Sequence, residues 1–241
     1  MKIDYAVMSS DDNPMYLDFW PVVSKLWAKL GIVPVLLYFG DKSPSIQHGE
    51  VVHMPRVPGV PLYLQCTCSR LWFPGTRPDK TTILADIDML PLSKWYFCDQ
   101  VAHLPPDKYA HLNPCIETYG QLAMCYNIAL GSTFREILTV PIDWAEAANM
   151  FLNTKPIRPH TAELPLWFVD ETILTNKVLN YKDKNRIVLL RRPGGQNGFR
   201  IDRPHWVFDK TLLKQGKYFD CHSARPFEKY KNDILTIAGE V

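Results

Sequence analysis

Asp86 and Asp88 stand one residue apart at the end of a short apolar run, Thr81-Thr82-Ile83-Leu84-Ala85. An apolar run closed by polar residues is the pattern of a buried parallel strand, and side chains at i and i+2 of an extended segment point the same way. The two carboxylates are therefore expected at the carboxyl end of a strand, exposed and facing one point. Open α/β sheets bind their ligands at that end. Paired carboxylate oxygens suit Mg²⁺ or Mn²⁺, ions commonly shared with substrate phosphates. Two solvated aspartates in a turn give the same tripeptide, and the motif alone leaves both readings open.

Other chemistry-bearing residues are scattered along the chain. Ser9 and Asp11, in the turn Ser9-Ser10-Asp11-Asp12-Asn13-Pro14, can hold a nucleotide's ribose or base, or cap the helix that follows. Arg70 is the one charge in residues 62–73 and needs an anionic partner, either a diphosphate or an internal carboxylate. Asn127 interrupts the apolar run of residues 122–130, so its amide needs partners, either backbone or sugar hydroxyls. Asp170 and Glu171 open a helix with an apolar face; they complement its dipole or aim a carboxylate into a site. Residues 191–200 are Gly-rich, carry Arg191, Arg192 and Arg200, and lack the Lys-Ser/Thr ending of a Walker loop. They read as a cationic flap over phosphates or as a solvated turn. His222 sits in a mixed apolar and charged context, where a histidine is more often structural than a ligand.

The elements that must position these groups follow from periodicity. Residues 3–8 read as a first strand and the polar turn follows it. Tyr16, Phe19, Trp20, Val23, Trp27 and Leu30 make one helical face that Gly31 ends, and residues 33–39 are a second strand. Strand, helix, strand is a βαβ unit with a right-handed crossover, which puts the Ser9–Asp11 turn on the same sheet edge as Asp86 and Asp88. Residues 50–54 are a third strand and 62–73 a helix. Residues 90–100 read as strand and loop, 109–112 as a strand, and 132–138 as a helix. Asp143-Trp144-Ala145-Glu146 resembles a capping box that starts a helix through Leu152. Residues 186–190 and 234–237 read as further strands.

Bulk properties narrow the class. The chain has 241 residues, 46% hydrophobic and 22% charged, enough for one large domain, and it shows no internal repeat, low-complexity tract or linker-like shift, so residues 1–241 read as a single domain. A net charge of +2 gives no argument for nucleic acid or an anionic membrane. No apolar run reaches membrane-span length and the N-terminus has no signal-peptide pattern, so a cytoplasmic setting is expected. Cys66, Cys68, Cys98, Cys115, Cys125 and Cys221 form no C-x-x-C pair and are expected as free thiols.

In this order, these pieces resemble the nucleotide-sugar glycosyltransferases of the GT-A fold. Ala85-Asp86-Ile87-Asp88 is similar to the family's DxD motif. Tyr126-Asn127 is similar to the sugar-contacting strand of retaining members, with Ala129 where those often have Gly. Trp167-x-x-Asp170-Glu171 resembles the late acidic motif, and His222 with Arg225-Pro226-Phe227 resembles a His-to-Lys-Pro-Trp motif with Arg for Lys and Phe for Trp. The resemblance implies an α/β fold, a single Rossmann-like GT-A domain whose central mixed, mostly parallel sheet is flanked by helices. It implies Mn²⁺ or Mg²⁺ on Asp86, Asp88 and His222, and a UDP- or GDP-sugar donor held by Ser9, Asp11, Arg70 and Asp86. It implies a glycan or glycoprotein acceptor, and donor-sugar contacts at Asn127 and Asp170. Asp170 and Glu171 are the implied catalytic acids, with Asp170 a general base in an inverting enzyme or a sugar-holding group in a retaining one; the motif order favours retention. Arg70 with one of Arg191, Arg192 or Arg200 is expected to balance the leaving diphosphate. Two alternatives remain: a nucleotidyltransferase, disfavoured by the acidic, Gly-free first turn, and a non-catalytic carbohydrate-binding domain.

Overall fold

The computed structural model describes residues 1–114, 116–195 and 198–239. Cys115 and two residues of the Gly-rich loop, Gln196 and Asn197, lie outside the described residues. Ten strands are present among those described: β1 (Tyr5–Ser10), β2 (Val33–Tyr38), β3 (Glu50–His53), β4 (Thr81–Leu84), β5 (Met89–Pro91), β6 (Tyr109–His111), β7 (Asn127–Leu130), β8 (Ile187–Leu189), β9 (Arg200–Asp202) and β10 (Asp220–His222). Seven of them form the central sheet in the order β3-β2-β1-β4-β7-β6-β8. Every neighbouring pair is parallel except those that β7 makes with β4 and β6, so one strand runs against the other six. The smaller sheet, β5-β10-β9, packs beside it.

Both faces of the central sheet are buried, as a mostly parallel sheet requires. Along β1, Ala6 and Met8 enter one core and Val7 the other; along β2, Leu36 and Tyr38 alternate with Val35 and Leu37 in the same way. Helix Trp20–Lys29 and the C-terminal helix Phe227–Ile237 cover the first face. Helices Leu62–Trp72, Gly131–Leu138, Trp144–Leu152 and Val169–Leu179 cover the second. The chain leaves β1 for β2 and β3 on one side and returns to β4 on the other. This reversal opens a crevice between the carboxyl ends of β1 and β4.

Three expected elements differ. The helix expected across residues 16–30 is two helices, Pro14–Leu17 and Trp20–Lys29, because Pro21 lacks an N–H and fits only the first turn of a helix that restarts there. Residues 95–102 are helical rather than strand and loop: Tyr96 and Phe97 reach the core beneath Trp27 and Tyr126, and tertiary packing overrides their β-propensity. Residues 234–237 are not a strand but the end of helix Phe227–Ile237. Phe227, Ile234 and Ile237 are its buried stripe, with charged residues between them.

Arg192 and Arg200 do not form a flap over phosphates. Both bind Asp220, which is buried on β10: Arg192 through paired contacts of 2.9 Å, Arg200 through contacts of 3.2 and 2.7 Å. The Tyr126 hydroxyl donates to the same carboxylate at 2.9 Å. Arg200 and Asp220 are register partners on parallel strands, so this ionic knot fastens the small sheet to the foot of β7. Burial works to raise the Asp220 carboxyl, and the two guanidiniums overcome it and hold it well below the usual range. Its stabilisation is therefore present above the unfolded value of about 3.9 and lost only as pH falls through the lower folded value. At pH 7, Asp220→Ala should cost ~3–5 kcal/mol by stranding two buried cations, read as a lower urea midpoint.

Candidate active site

The crevice between β1 and β4 is a cleft of about 460 Å³. Its base is Ser9, Ser10 and Asp11 from the end of β1 and Asp86, Ile87 and Asp88 after β4. One wall is a helical face, Tyr63, Cys66, Thr67 and Arg70, at the three- and four-residue steps that bring side chains to one side. An adjoining wall is Leu164, Trp167, Phe168, Asp170 and Glu171, in contact with the first through Arg70–Asp170 and Tyr63–Trp167, and the rim is Arg203, His222 and Arg225. Of the residues singled out from sequence, Ser9, Asp11, Arg70, Asp86, Asp88, Asp170, Glu171 and His222 meet here.

The first turn caps the helix that follows it and also lines the cleft. Asn13 is the helix cap, accepting from the Met15 amide at 3.0 Å, while Asp11 accepts from the Asn13 amide at 3.0 Å. Ser9 donates to the carbonyl of Cys66 and ties β1 to helix Leu62–Trp72. Ser9 and Asp11 thus line the cleft without capping the helix themselves.

Asp86 and Asp88 are not presented by the pleat of a strand. β4 ends at Leu84, and the Met89 amide closes a turn on the Asp86 carbonyl at 3.1 Å. The two carboxylates consequently have different partners. Asp86 pairs with Arg70, whose Nη1 also donates to the Ala85 carbonyl at 2.9 Å and whose Nη2 reaches Asp170 at 3.4 Å. The internal partners that Arg70 needed are these two acids, and its guanidinium, 6% exposed, joins helix Leu62–Trp72, the end of β4 and helix Val169–Leu179. Burial tends to raise the Asp86 carboxyl, and Arg70 overcomes it and leaves it below its ordinary range. Asp170 lies deeper. Burial pushes its carboxyl up to about 7, with the charges of Glu171 and Asp86 adding and Arg70 opposing. Glu171 is also raised by burial, against Gln121 and Arg158, which both donate to it.

Asp88 is not the exposed acid the sequence implied: it is 4% exposed and ringed by bases. Its Oδ2 lies 3.0 Å from Arg203 Nη1, 3.5 Å from Arg225 Nε and 3.9 Å from His222 Nε2. The small sheet sets this arrangement. His222 is the register partner of Met89 and of Asp202, and the Ser223 amide donates to the Asp88 carbonyl at 2.9 Å. Asp202 Oδ1 is 2.9 Å from His222 Nδ1, a contact that orients the imidazole and leaves Nε2 turned towards Asp88. Among the described residues no three His, Cys, Asp or Glu side chains converge as a ready-made metal cage. His222 Nε2 and Asp88 Oδ2 stand 3.9 Å apart, a gap that two metal–ligand bonds of about 2.1 Å would span.

Asn127 does not reach the cleft. It is buried on β7, its Oδ1 accepts from the Tyr109 hydroxyl and its Nδ2 donates to the carbonyls of Ala123 and Met124. With its amide satisfied inside the fold, the sugar-contacting reading of Asn127 is corrected to a structural one. Four residues that line the cleft were assigned no site role from the sequence. Tyr16 lies beneath Arg225, with the guanidinium 4.8 Å from the ring centroid. Tyr63 and Trp167 stack at 6.3 Å and 26°, and the Leu166 amide donates to the Tyr63 hydroxyl at 3.3 Å. Arg203 follows β9, and the one signal for it was the alternation Arg200-Ile201-Asp202-Arg203, which sets it on a different face from Arg200 and Asp202. No helix among the described residues is long and apolar enough to cross a membrane.

No protein-family model and no curated protein matches the sequence. Solved structures do. The galactosyltransferase LgtC, in complex with donor and acceptor sugar analogs, superposes with a TM-score of 0.54 at 14% identity, over 98% of this chain and 96% of that one. The bifunctional glycosyltransferase WbbM gives 0.54 at 11% identity, over all of this chain and 50% of that one. Glycosyltransferase GlyE of Streptococcus pneumoniae gives 0.53 at 11% identity, with the chain spanning 63% of its length. At these identities the likeness concerns architecture: the chain has the mixed, mostly parallel α/β fold of GT-A glycosyltransferases.

Proposed function

We propose that this protein is a glycosyltransferase that moves a sugar from a nucleoside-diphosphate sugar, UDP- or GDP-linked, to a glycan hydroxyl. The observation that carries the reading is that Asp86, Asp88, Asp170 and His222 all line the β1–β4 crevice, in a chain with this fold. The nucleotidyltransferase alternative loses support from the same cleft, whose first turn presents Ser9, Ser10 and Asp11 and no Gly-rich phosphate cradle.

Asp86, Asp88 and His222 would hold Mn²⁺ or Mg²⁺, with Asp202 fixing the imidazole. Such an ion supplies neutralising charge to the leaving diphosphate. Ser9 and Asp11 face the nucleoside. Arg70 holds Asp86 and Asp170 in register, and the cations that line the cleft beside the diphosphate are Arg203 and Arg225. The reaction breaks the bond between the anomeric carbon and a diphosphate oxygen, and forms one from the acceptor oxygen to the same carbon. Asp170 holds the donor sugar's hydroxyls from the inner wall, with Glu171 beside it. The reading favours retention, in which the departing phosphate oxygen takes the acceptor proton. The Tyr63–Trp167 stack at the outer wall offers a flat apolar surface for an acceptor pyranose, and the Trp167 indole N–H has no hydrogen-bond partner among the described residues.

Five outcomes test this. In a thermal-shift panel, one nucleotide with Mn²⁺ should stabilise the protein by about 2.7 kcal/mol at a hundred times its dissociation constant, and the effect should vanish with chelator. Asp88→Asn, which keeps the volume of this buried side chain, should abolish the metal-dependent part; a variant that keeps it sinks the assignment of the ion. Because the Asp170 carboxyl sits near 7 and its ionised form is the one that accepts sugar hydroxyls, kcat/KM should rise with pH up to about 7 and level off above. Asp170→Asn should remove that rise and lower the plateau by about two orders of magnitude. Trp167→Ala should raise the acceptor KM about three- to tenfold in steady-state assays and leave donor binding unchanged.

A further inference from the structure

The charges facing Asp88 converge on one oxygen. Arg203, Arg225 and His222 all approach Oδ2, and Arg203 is nearest at 3.0 Å. The cations of the cleft differ in how they are held. Arg70 is buried against Asp86 and Asp170, and Arg225 lies over the Tyr16 ring. Arg203 has no side-chain partner other than Asp88 among the described residues, and its side chain is 33% exposed. It rises from the short turn in which the His205 amide returns to the Asp202 carbonyl at 3.0 Å, so its guanidinium can swing without disturbing β9 or β10.

A guanidinium on the carboxylate that is to receive a divalent ion competes with that ion, because two cations at one oxygen repel. A diphosphate reverses the balance. It brings negative charge to the rim and accepts a planar fork of N–H donors at least as well as a carboxylate does.

We infer that Arg203 is a shuttling cation, closed on Asp88 while the donor is absent and transferred to the donor diphosphate as nucleotide and ion enter. The inference rests on the donor-site reading above and adds a coupling to it. Arg203 weakens the binding of the ion alone, strengthens the binding of the nucleotide, and thereby makes each ligand favour the other. Reciprocity is required, since the factor by which nucleotide tightens the ion equals the factor by which the ion tightens nucleotide. Asp88 is thus guarded against stray divalent ions until a donor is present.

The experiment is a titration of Mn²⁺ followed by electron paramagnetic resonance of the free ion, with and without saturating UDP or GDP. Wild type, R203Q and R203K are compared, with circular dichroism as the check on folding. In wild type, one nucleotide should tighten Mn²⁺ about tenfold or more, within the range common for coupled sites. In R203Q, Mn²⁺ alone should bind more tightly than in wild type, the nucleotide alone more weakly, and the coupling should fall about three- to tenfold, the remainder being the direct attraction of the ion for the diphosphate. R203K, which keeps the charge and loses the fork, should retain most of the coupling. A wild type that couples the ligands and an R203Q that couples them equally, with unchanged affinity for Mn²⁺ alone, overturns the role of Arg203 and leaves the donor site standing. A wild type that binds neither UDP nor GDP with or without Mn²⁺ overturns the donor-site reading itself, and the shuttle with it.

Discussion

The guanidinium of Arg70 is the hinge of the site. It is nearly inaccessible to solvent and holds two carboxylates from different parts of the chain, Asp86 after β4 and Asp170 in the first turn of helix Val169–Leu179. Neither acid would be tolerable at its depth without a cation, and the cation would be intolerable without them. One interaction therefore fixes the separation between the floor and the inner wall of the cleft. It also divides the two acids by function. Asp86, held directly, stays ionised, whereas Asp170, held at 3.4 Å and more deeply buried, is left close to neutrality. Environments that drive two carboxyls apart in this way are a mark of working sites.

A second constraint comes from the small sheet. β10 carries Asp220 at one end and His222 at the other, with Cys221 buried between them. The alternation of a strand sends the neighbours of Cys221 to the face opposite its own side chain. At the first position a carboxylate takes up Arg192, Arg200 and Tyr126 and anchors the sheet. Two residues on, an imidazole reaches the Asp88 carboxylate. The ionic knot at Asp220 is what makes the position of His222 definite, because β9 brings Arg200 to Asp220 and Asp202 to His222 in the same register.

Sequence patterning read the central sheet well because its strands are buried on both faces and appear as unbroken apolar runs. β1, β2 and β4 fall where such runs fall, the half-buried edge strand β3 was read from its two valines, and helices Leu62–Trp72, Trp144–Leu152 and Val169–Leu179 also lie where they were expected. The C-terminal third was less legible. β9 and β10 are three residues each and pair across some twenty residues of chain, a distance that local periodicity does not register. The same limit governed the site. Types and spacing singled out Asp86, Asp88 and Asp170, and the family resemblance added His222; all four line the cleft, since carboxylates after a strand and at a helix start carry a local signature. They did not sort the arginines. Arg192 and Arg200 in a Gly-rich stretch looked like phosphate ligands, yet their partner, Asp220, lies 28 and 20 residues away in sequence. Arg203, three residues beyond Arg200, is the one that reaches the cleft. Asn127 failed for a related reason, because nothing in an apolar run tells whether Tyr109 and two backbone carbonyls will satisfy the amide.

Residues 167–171 join the two halves of the proposed reaction. Asp170 looks inward to Arg70 and the Asp86 end of the cleft, while Trp167, three residues earlier, stacks on Tyr63 at the outer wall. Tyr63 and Arg70 are themselves seven residues apart on one helix, two turns along the same face. Helix Leu62–Trp72 thus touches this segment twice, once through an ion pair at the proposed donor end and once through an aromatic pair at the proposed acceptor end. The proposed spacing between a donor sugar and an acceptor ring on Trp167 would then be set by one helix and by the turn that leads into the next. Near-attack geometry tolerates little error, so catalytic function requires such a ruler more than it requires any additional acid or base.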